Sequence, residues 1–423
     1  HDGGKTWTEI DNGIAPGAVA NSIREDPHQK GLLYAATETQ VWVSFNDGDN
    51  WQSLRQNMPA ISVRDIAVKD DASCLCSDLV AGTHGRGFWI LDDVTPLRQE
   101  AQAVAAQDAY LFKPETGIRI RFATNDPTPW PPELPAGTNP PAGPVIDYYL
   151  AHPAQGPVKI EILKGTSVVR TYTSADNPTG PFPATEPQEY DQLCRQNPSL
   201  PHCDMTMYWP APPRIIPTAA GMHRIWWDMH YDPIPGVAGR GGDGGEGAVP
   251  HRTHDGVPTP LAAPGLYTVR LTVDGHSYTQ PLTFKMDPRV TTPAAGLEQL
   301  YTLSAEMYNG ARQTRKAYDE ARAALVKTSD AALQKQIEAL APAPPRGGGG
   351  RGGFFGFGRG GAPAAPPSLS SAANAELAAA MAMQNSDTTP TAAEVAACTK
   401  ARAEAQAVLA QWTALKAKLG GAE

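Results

Sequence analysis

His1-Asp2-Gly3-Gly4-Lys5-Thr6-Trp7 and Ser44-Phe45-Asn46-Asp47-Gly48-Asp49-Asn50-Trp51 share one order of residue types: an Asp or Asn, a Gly, a Thr or Asn, and a Trp. Each type has a task in a tight turn. The side chain of Asp2 or Asn46 caps the turn, Gly4 or Gly48 takes a positive φ, and Trp7 or Trp51 buries under the next strand. The two tryptophans lie 44 residues apart, the repeat length of one four-stranded propeller blade. Other pieces recur in step. Leu33-Tyr34-Ala35-Ala36-Thr37 returns as Leu79-Val80-Ala81-Gly82-Thr83, Val41-Trp42-Val43 as Phe88-Trp89-Ile90, and residues 21–26 align with 64–70. Short alternating strands ending in turns are therefore predicted across 1–95. A blade cannot bury its faces alone, so this stretch is expected to pack on further blades. The first motif opens without its leading Ser and there is no initiator Met, so the chain is expected to be the C-terminal piece of a longer propeller protein.

With 423 residues the chain has room for two or three domains. A net charge of −9 argues against a nucleic-acid-binding chain. Its 41 prolines and 40 glycines, about a fifth of the residues, fit many turns plus low-complexity linkers. No run of 18 apolar residues exists, so no membrane span is expected.

Beyond residue 95 the pattern changes twice. Residues 96–144 are a connection with two short strands, at Tyr110-Leu111-Phe112 and Ile118-Arg119-Ile120-Arg121-Phe122, followed by an extended stretch with eight prolines in 125–144. Residues 145–290 read as an all-β module. Val158, Ile160 and Ile162 alternate with Lys159 and Glu161, and Tyr267, Val269, Leu271 and Val273 with Thr268, Arg270 and Thr272. Asp274-Gly275 sits where a hairpin turn belongs. An immunoglobulin-like sandwich is predicted, with insertions at 176–213 and 233–264. Residues 291–423 turn Ala-rich. Leu300, Ser304, Met307, Ala311, Thr314, Tyr318, Ala321 and Leu325 follow a 3-4 spacing, as do Val395, Cys398, Ala401, Ala405, Val408, Trp412, Leu415 and Leu419. These predict two amphipathic helices forming an antiparallel hairpin, closed by a disordered Gly/Pro-rich loop at 342–367. The fold class is thus mainly β with an α-helical tail.

Five cysteines are present. Cys74 and Cys76 are too close for easy pairing with each other. Cys194 and Cys203 bracket a Pro-containing loop and read as a disulfide formed in an oxidising compartment, with two unlinked thiols as the alternative. A zinc site from Cys194, His202 and Cys203 lacks the paired spacing of zinc motifs.

The paired turns resemble the Asp-box (BNR) motif Ser-x-Asp-x-Gly-x-Thr-Trp of sialidase-like propellers and of the sortilin N-terminal (Vps10) propeller. The stretch Gly82-Thr83-His84-Gly85-Arg86-Gly87-Phe88-Trp89-Ile90-Leu91-Asp92-Asp93 is similar to the closing blade of large bacterial proteins of this type, in which an Ig-like domain and a helical tail follow the propeller. The resemblance implies a secreted bacterial protein, extracellular or periplasmic. It is nearly silent on activity, because such turns occur in glycosidases and binding proteins alike.

Candidate chemistry is sparse. Arg24, Arg64 and Arg86 fall at similar places in successive units, as an arginine cluster for a substrate carboxylate would, or as salt-bridged surface charges. No carboxylate pair has an assignable glycosidase spacing. Trp226-Trp227, with Trp209 and Trp130, suits either sugar stacking or core packing; adjacent residues on a strand face opposite ways, so one is core and the other partly exposed. His251-Arg252-Thr253-His254-Asp255, near Asp243 and Glu246, lacks the helical His-Glu-x-x-His of a zinc protease. The Arg-Gly-Gly tract at 346–361 reads as a linker. No catalytic residue, cofactor or metal is assigned. The expected function is a non-catalytic binding or scaffold region that takes a protein or glycan ligand through the propeller. The alternative is part of a sialidase-like exo-glycosidase whose catalytic residues lie in blades upstream.

Overall fold

The computed structural model describes residues 3–71, 76–121, 143–183, 185–200, 213–237, 259–343 and 366–420, with positions 131, 133, 134, 137, 203 and 206–209 between them. The chain is mixed: β-sheets come first and a helical region follows. β1 (Ala20–Glu25), β2 (Leu33–Thr37), β3 (Val41–Ser44) and β4 (Gln52–Ser53) form one antiparallel sheet in sequence order. β5 (Val63–Asp71), β6 (Cys76–Thr83) and β7 (Phe88–Leu91) form a second. The central strands β2 and β3 are buried on both faces. Tyr34, Ala36, Val41 and Val43 meet Val63, Ile66, Leu79 and Ala81 between the sheets, while Leu33, Ala35 and Trp42 pack under Trp51 on the other side. That burial corrects the expected alternation: these two strands are continuous apolar runs because both of their faces are covered.

Polar bonds fix how the sheets meet. Asn21 Nδ2 donates to the Val63 carbonyl at 2.8 Å and Ser22 Oγ to Asp65 Oδ1 at 2.7 Å. At the far edge the buried Asp26 carboxylate accepts from Arg98 Nε at 2.9 Å and from the Tyr34 hydroxyl at 3.1 Å, while Arg98 also reaches Ser77.

A short helix, α1 (Glu100–Ala105), leads into β8 (Ala109–Leu111) and β9 (Gly117–Arg119). β10 (Val145–Leu150), β11 (Lys159–Lys164), β12 (Ser167–Thr173), α2 (Pro187–Gln196), β13 (Gly221–Trp226), β14 (Gly265–Val273) and β15 (His276–Met286) follow. The strands make sheets of order β13-β10-β8 and β12-β11-β14-β15-β9. The sheets share one core around Trp227, whose ring lies 5.1 Å from both Tyr267 and Phe284. Asp274 and Gly275 both take positive φ in the tight β14–β15 turn. The module reaches further back than residue 145. β8, placed by sequence in a connection, pairs with β10, and β9 runs parallel to β15. Three-residue strands carry too little periodicity to reveal such pairings.

The helical region corrects the two-helix hairpin. It contains α3 (Ala294–Lys327), α4 (Ala331–Leu340), α5 (Leu369–Ala382) and α6 (Ala392–Gly420). The stripes on α3 and α6 do point inward, but α5 and α4 share their cores: Leu369 and Ala372, with Ile337 and Leu340, pack among Tyr318, Ala321, Val408 and Trp412. α5 escaped the periodicity reading because it is alanine on most faces and has no polar stripe. Its start is set by Ser368, whose hydroxyl accepts from the Ser371 amide at 3.2 Å while Ser371 Oγ accepts from the Ser368 amide at 2.8 Å. α4 is set off by Asp330, capping the amides of Ala332 and Leu333. Among the described residues no helix is long and apolar enough to cross a membrane.

Candidate functional site

The second copy of the turn is built from the residues its pattern names. Ser44 Oγ donates to Asn46 Oδ1 at 3.0 Å and accepts from the Gly48 amide at 2.9 Å; Asn46 Oδ1 also accepts from the Asn50 amide at 3.0 Å. Asp47 and Gly48 sit at φ 59° and 94°. Trp51 is buried, and its indole N–H donates to the Ile10 carbonyl at 2.7 Å. The first copy differs. Asp2 lies outside the described residues, Gly4 has φ 80°, and Trp7 is 89% exposed rather than buried. The physical reason is that no strand of the described chain lies over it.

Arg24 and Arg64 are held by different carboxylates. Arg24 pairs with Asp65 at 2.8 Å and Arg64 with Glu38 at 3.1 Å, both well exposed, where such pairs contribute little. Arg86 sits in the turn between β6 and β7, flanked by Gly85 and Gly87 at positive φ. Trp227 is core, while Trp226 is half-buried with the Arg214 guanidinium 4.9 Å over its ring, so that face is already covered. Arg214 and Arg170 also stack on Tyr172 at 4.8 and 5.0 Å and share the Asp228 carboxylate. Burial alone would raise the Asp228 pKa, but Arg170, His230 and Arg214 outweigh it and hold it below the usual range.

Cys194 and Cys203 are disulfide-bonded across 5.2 Å between Cα atoms, and Cys76 is in a disulfide as well. Cys74, Trp130, His202, Asp243, Glu246, residues 251–255 and the tract 346–361 lie outside the described residues.

The most concentrated chemistry was not visible in sequence. Where the first module meets the second, Asp78, Asp92, Asp93, Glu115 and Asp147 gather around Arg224. Arg224 forms two bonds to Asp147, at 2.9 and 3.0 Å, and donates to the carbonyls of Asp92 at 2.7 Å and Asp93 at 3.2 Å. Asp78 accepts from the Asp93 amide at 3.1 Å, and Lys69 lies 3.5 Å from it. Asp93 Oδ1 caps Thr95, while Asp93 Oδ2 and Glu115 Oε2 are enclosed with no hydrogen-bond partner. Burial first, then the charges of Asp93 and Asp78, push the Glu115 carboxyl up to about 8, so at neutral pH it holds a proton. Burial also raises Asp92, Asp93 and Asp147. Such a cluster stores a proton and ties two modules together; among the described residues no group of three or more His, Cys, Asp or Glu has the arrangement of a metal site. The one sequence cue was the adjacent pair Asp92-Asp93 after a strand; Asp147 and Arg224, which tie it to the second module, come from 54 or more residues away.

A second ionic junction ties the second module to the helices. Asp387, just before α6, accepts from Arg119 and, at 2.9 Å, from Arg121. Arg119 also donates to the Ala262 carbonyl at 3.0 Å and lies 5.2 Å from the Tyr301 ring. Arg121 in turn donates to the Gln384 carbonyl.

No family model, no curated protein and no solved structure matches the chain.

Proposed function

We propose that this chain is a non-catalytic binding or scaffold region of an exported protein, in which Asp-box propeller blades, an Ig-like sandwich and a helical region hold a protein or glycan ligand on a rigid frame. One observation carries this reading: arginine contacts to buried carboxylates cross each internal boundary. Arg98–Asp26 locks the paired sheets, Arg224 with Asp147 and the carbonyls of Asp92 and Asp93 joins the first module to the second, and Arg119 and Arg121 with Asp387 join the second to the helices. Multiply bonded charges held on buried carboxylates favour one fixed arrangement over many. The repeat units and the residue-by-residue turn at 44–51 support the propeller reading of the first module. The Cys194–Cys203 disulfide supports export, since such bonds persist in oxidising compartments.

The test pairs turnover with binding. The purified chain is expected to hydrolyse no aryl glycoside, sialosides included, above a blank, and to bind saturably to members of an immobilised glycan and peptide panel. Arg24→Ala, Arg64→Ala or Arg86→Ala is expected to alter folding or binding only. Turnover that disappears with one of these substitutions, or with Glu115→Gln, would overturn the binding reading in favour of a glycosidase.

A further inference from the structure

α5 carries one ionisable residue, and it points inward. Among the fourteen residues of this helix only Glu376 can hold a charge. A charged side chain on a helix ordinarily faces water, yet Glu376 is buried against α3. Its seat is shaped for a carboxyl. A Cβ at Gly310 of α3 would lie 2.1 Å from Glu376 Oε1, so only glycine leaves room for the group there. Glu376 Oε2 accepts from Thr314 Oγ1 at 3.0 Å.

No cation pairs with Glu376 among the described residues. Arg402 of α6 acts on it from a distance but is bonded to Glu306 of α3. The other surroundings are neutral. Tyr308 of α3 donates to the Asp232 carbonyl, and Cys398 of α6 is a free, buried thiol. The stretches 234–237 and 383–385, which pack on α5, carry no titratable side chain. Lys335 and Glu338 of α4 are exposed. A carboxylate ionised in this seat loses its hydration and gains no counter-charge. The rest of α5 holds weakly, since Leu369 and Leu377 are its only other buried side chains larger than alanine.

We propose that Glu376 is a proton-operated latch for α5: protonated, it seats the helix between α3 and α6, and ionised, it drives the helix off them to reach water. The sign and size of the effect follow from the seat. Burial pushes the carboxyl up to about 7 when α5 is docked, against an ordinary value of 4.5 once it is free. Opening therefore becomes easier as pH rises from 4.5 to 7, by about 300-fold in all, and levels off above. Cys398 reports the opening. It is 0% exposed and lies in one cluster with Ala379 and Ala380 of α5, so a reagent reaches it when the helix leaves.

The test is modification of Cys398 by a pyridyl disulfide between pH 4.5 and 8, mapped by peptide mass. Each rate is divided by that of a short cysteine peptide at the same pH, which removes the thiol's own titration. The wild-type ratio is expected to rise about 300-fold up to pH 7 and then stay level. Glu376→Gln, neutral at every pH, is expected to keep the low ratio throughout. Gly310→Ala, which crowds the seat, is expected to give a high ratio even at pH 5. Amide exchange, corrected for its intrinsic pH dependence, shows whether the event is local: residues 369–382 should lose protection as pH rises while 402–415 of α6 keep theirs. A flat wild-type ratio, a slope retained in Glu376→Gln, a Gly310→Ala profile identical to wild type, or loss of protection in both helices together overturns the proposal.

Discussion

Removing the carboxylate of Asp387 tests how the second module and the helices are joined. The Arg119 side chain is 1% exposed and that of Asp387 6%; Arg121 is more open. Arg119 has a carbonyl and an aromatic face as further partners, but Asp387 supplies the anion to both guanidinium groups. Asp387→Ala leaves two cations in a largely buried place, and breaking such a pair by deleting one partner costs about 3–5 kcal/mol. Asp387→Asn keeps the shape and one acceptor but not the charge, so its loss should fall at the lower end of that range. Arg121→Ala should cost less, since Arg119 keeps its anion. Urea unfolding followed at 222 nm, where the helices dominate, measures these losses. Screening hardly reaches buried pairs, so 0.5 M salt should not erase the difference. The pH dependence has a definite sign. Burial would raise the Asp387 pKa, but Arg121 and Arg119 overcome it and hold the carboxyl below its ordinary range. Its contribution is therefore present above about pH 4 and lost as pH falls through the folded value, so wild type and Asp387→Ala should converge in acid. A loss below about 1 kcal/mol, or one abolished by salt, would place this junction among the weak solvated pairs and refute the reasoning.

Three further outcomes follow from other buried groups. Glu376 is 3% exposed between α5 and α3, and burial pushes its carboxyl up to about 7 despite a 3.0 Å bond from Thr314 Oγ1. A raised folded pKa stabilises most below the unfolded value near 4.5, and that stability is lost as pH rises toward 7. The chain should lose about 3 kcal/mol across that window, and Glu376→Gln should be flat there and more stable than wild type at pH 8; equal slopes would refute this. Glu115→Gln should likewise gain on wild type as pH rises toward 9, because the folded carboxyl titrates near 8 and the unfolded one far lower; identical melting at pH 5 and pH 9 would count against it. Asn46→Ala removes the acceptor for Ser44 Oγ and the Asn50 amide, for an expected loss of about 1–2 kcal/mol with faster amide exchange at Gly48 and Asn50; unchanged exchange there would mean that Asn46 does not hold the turn.

What sequence determined was the local part. Gly48 and Asp47 at positive φ, the Ser44–Asn46–Asn50 cap and the buried Trp51 follow from the types at those positions, because a tight turn is satisfied by its own few residues. The strands β2, β3, β6, β7, β11, β14 and β15 were legible for the same reason, as were the inward stripes of α3 and α6: each repeats its pattern over enough residues to be read. Tertiary structure decided what depends on partners far along the chain. It alone put β8 beside β10, inserted the alanine-rich α5 among the helices, left Trp7 uncovered while Trp51 was covered, and brought Arg224 to Asp147 and Arg119 to Asp387. Those ion pairs join residues 77 and 268 positions apart, and nothing local distinguishes their charges from the solvated ones on either side. Burial makes such groups strong, and burial is a property of the packed chain, not of any short stretch of it.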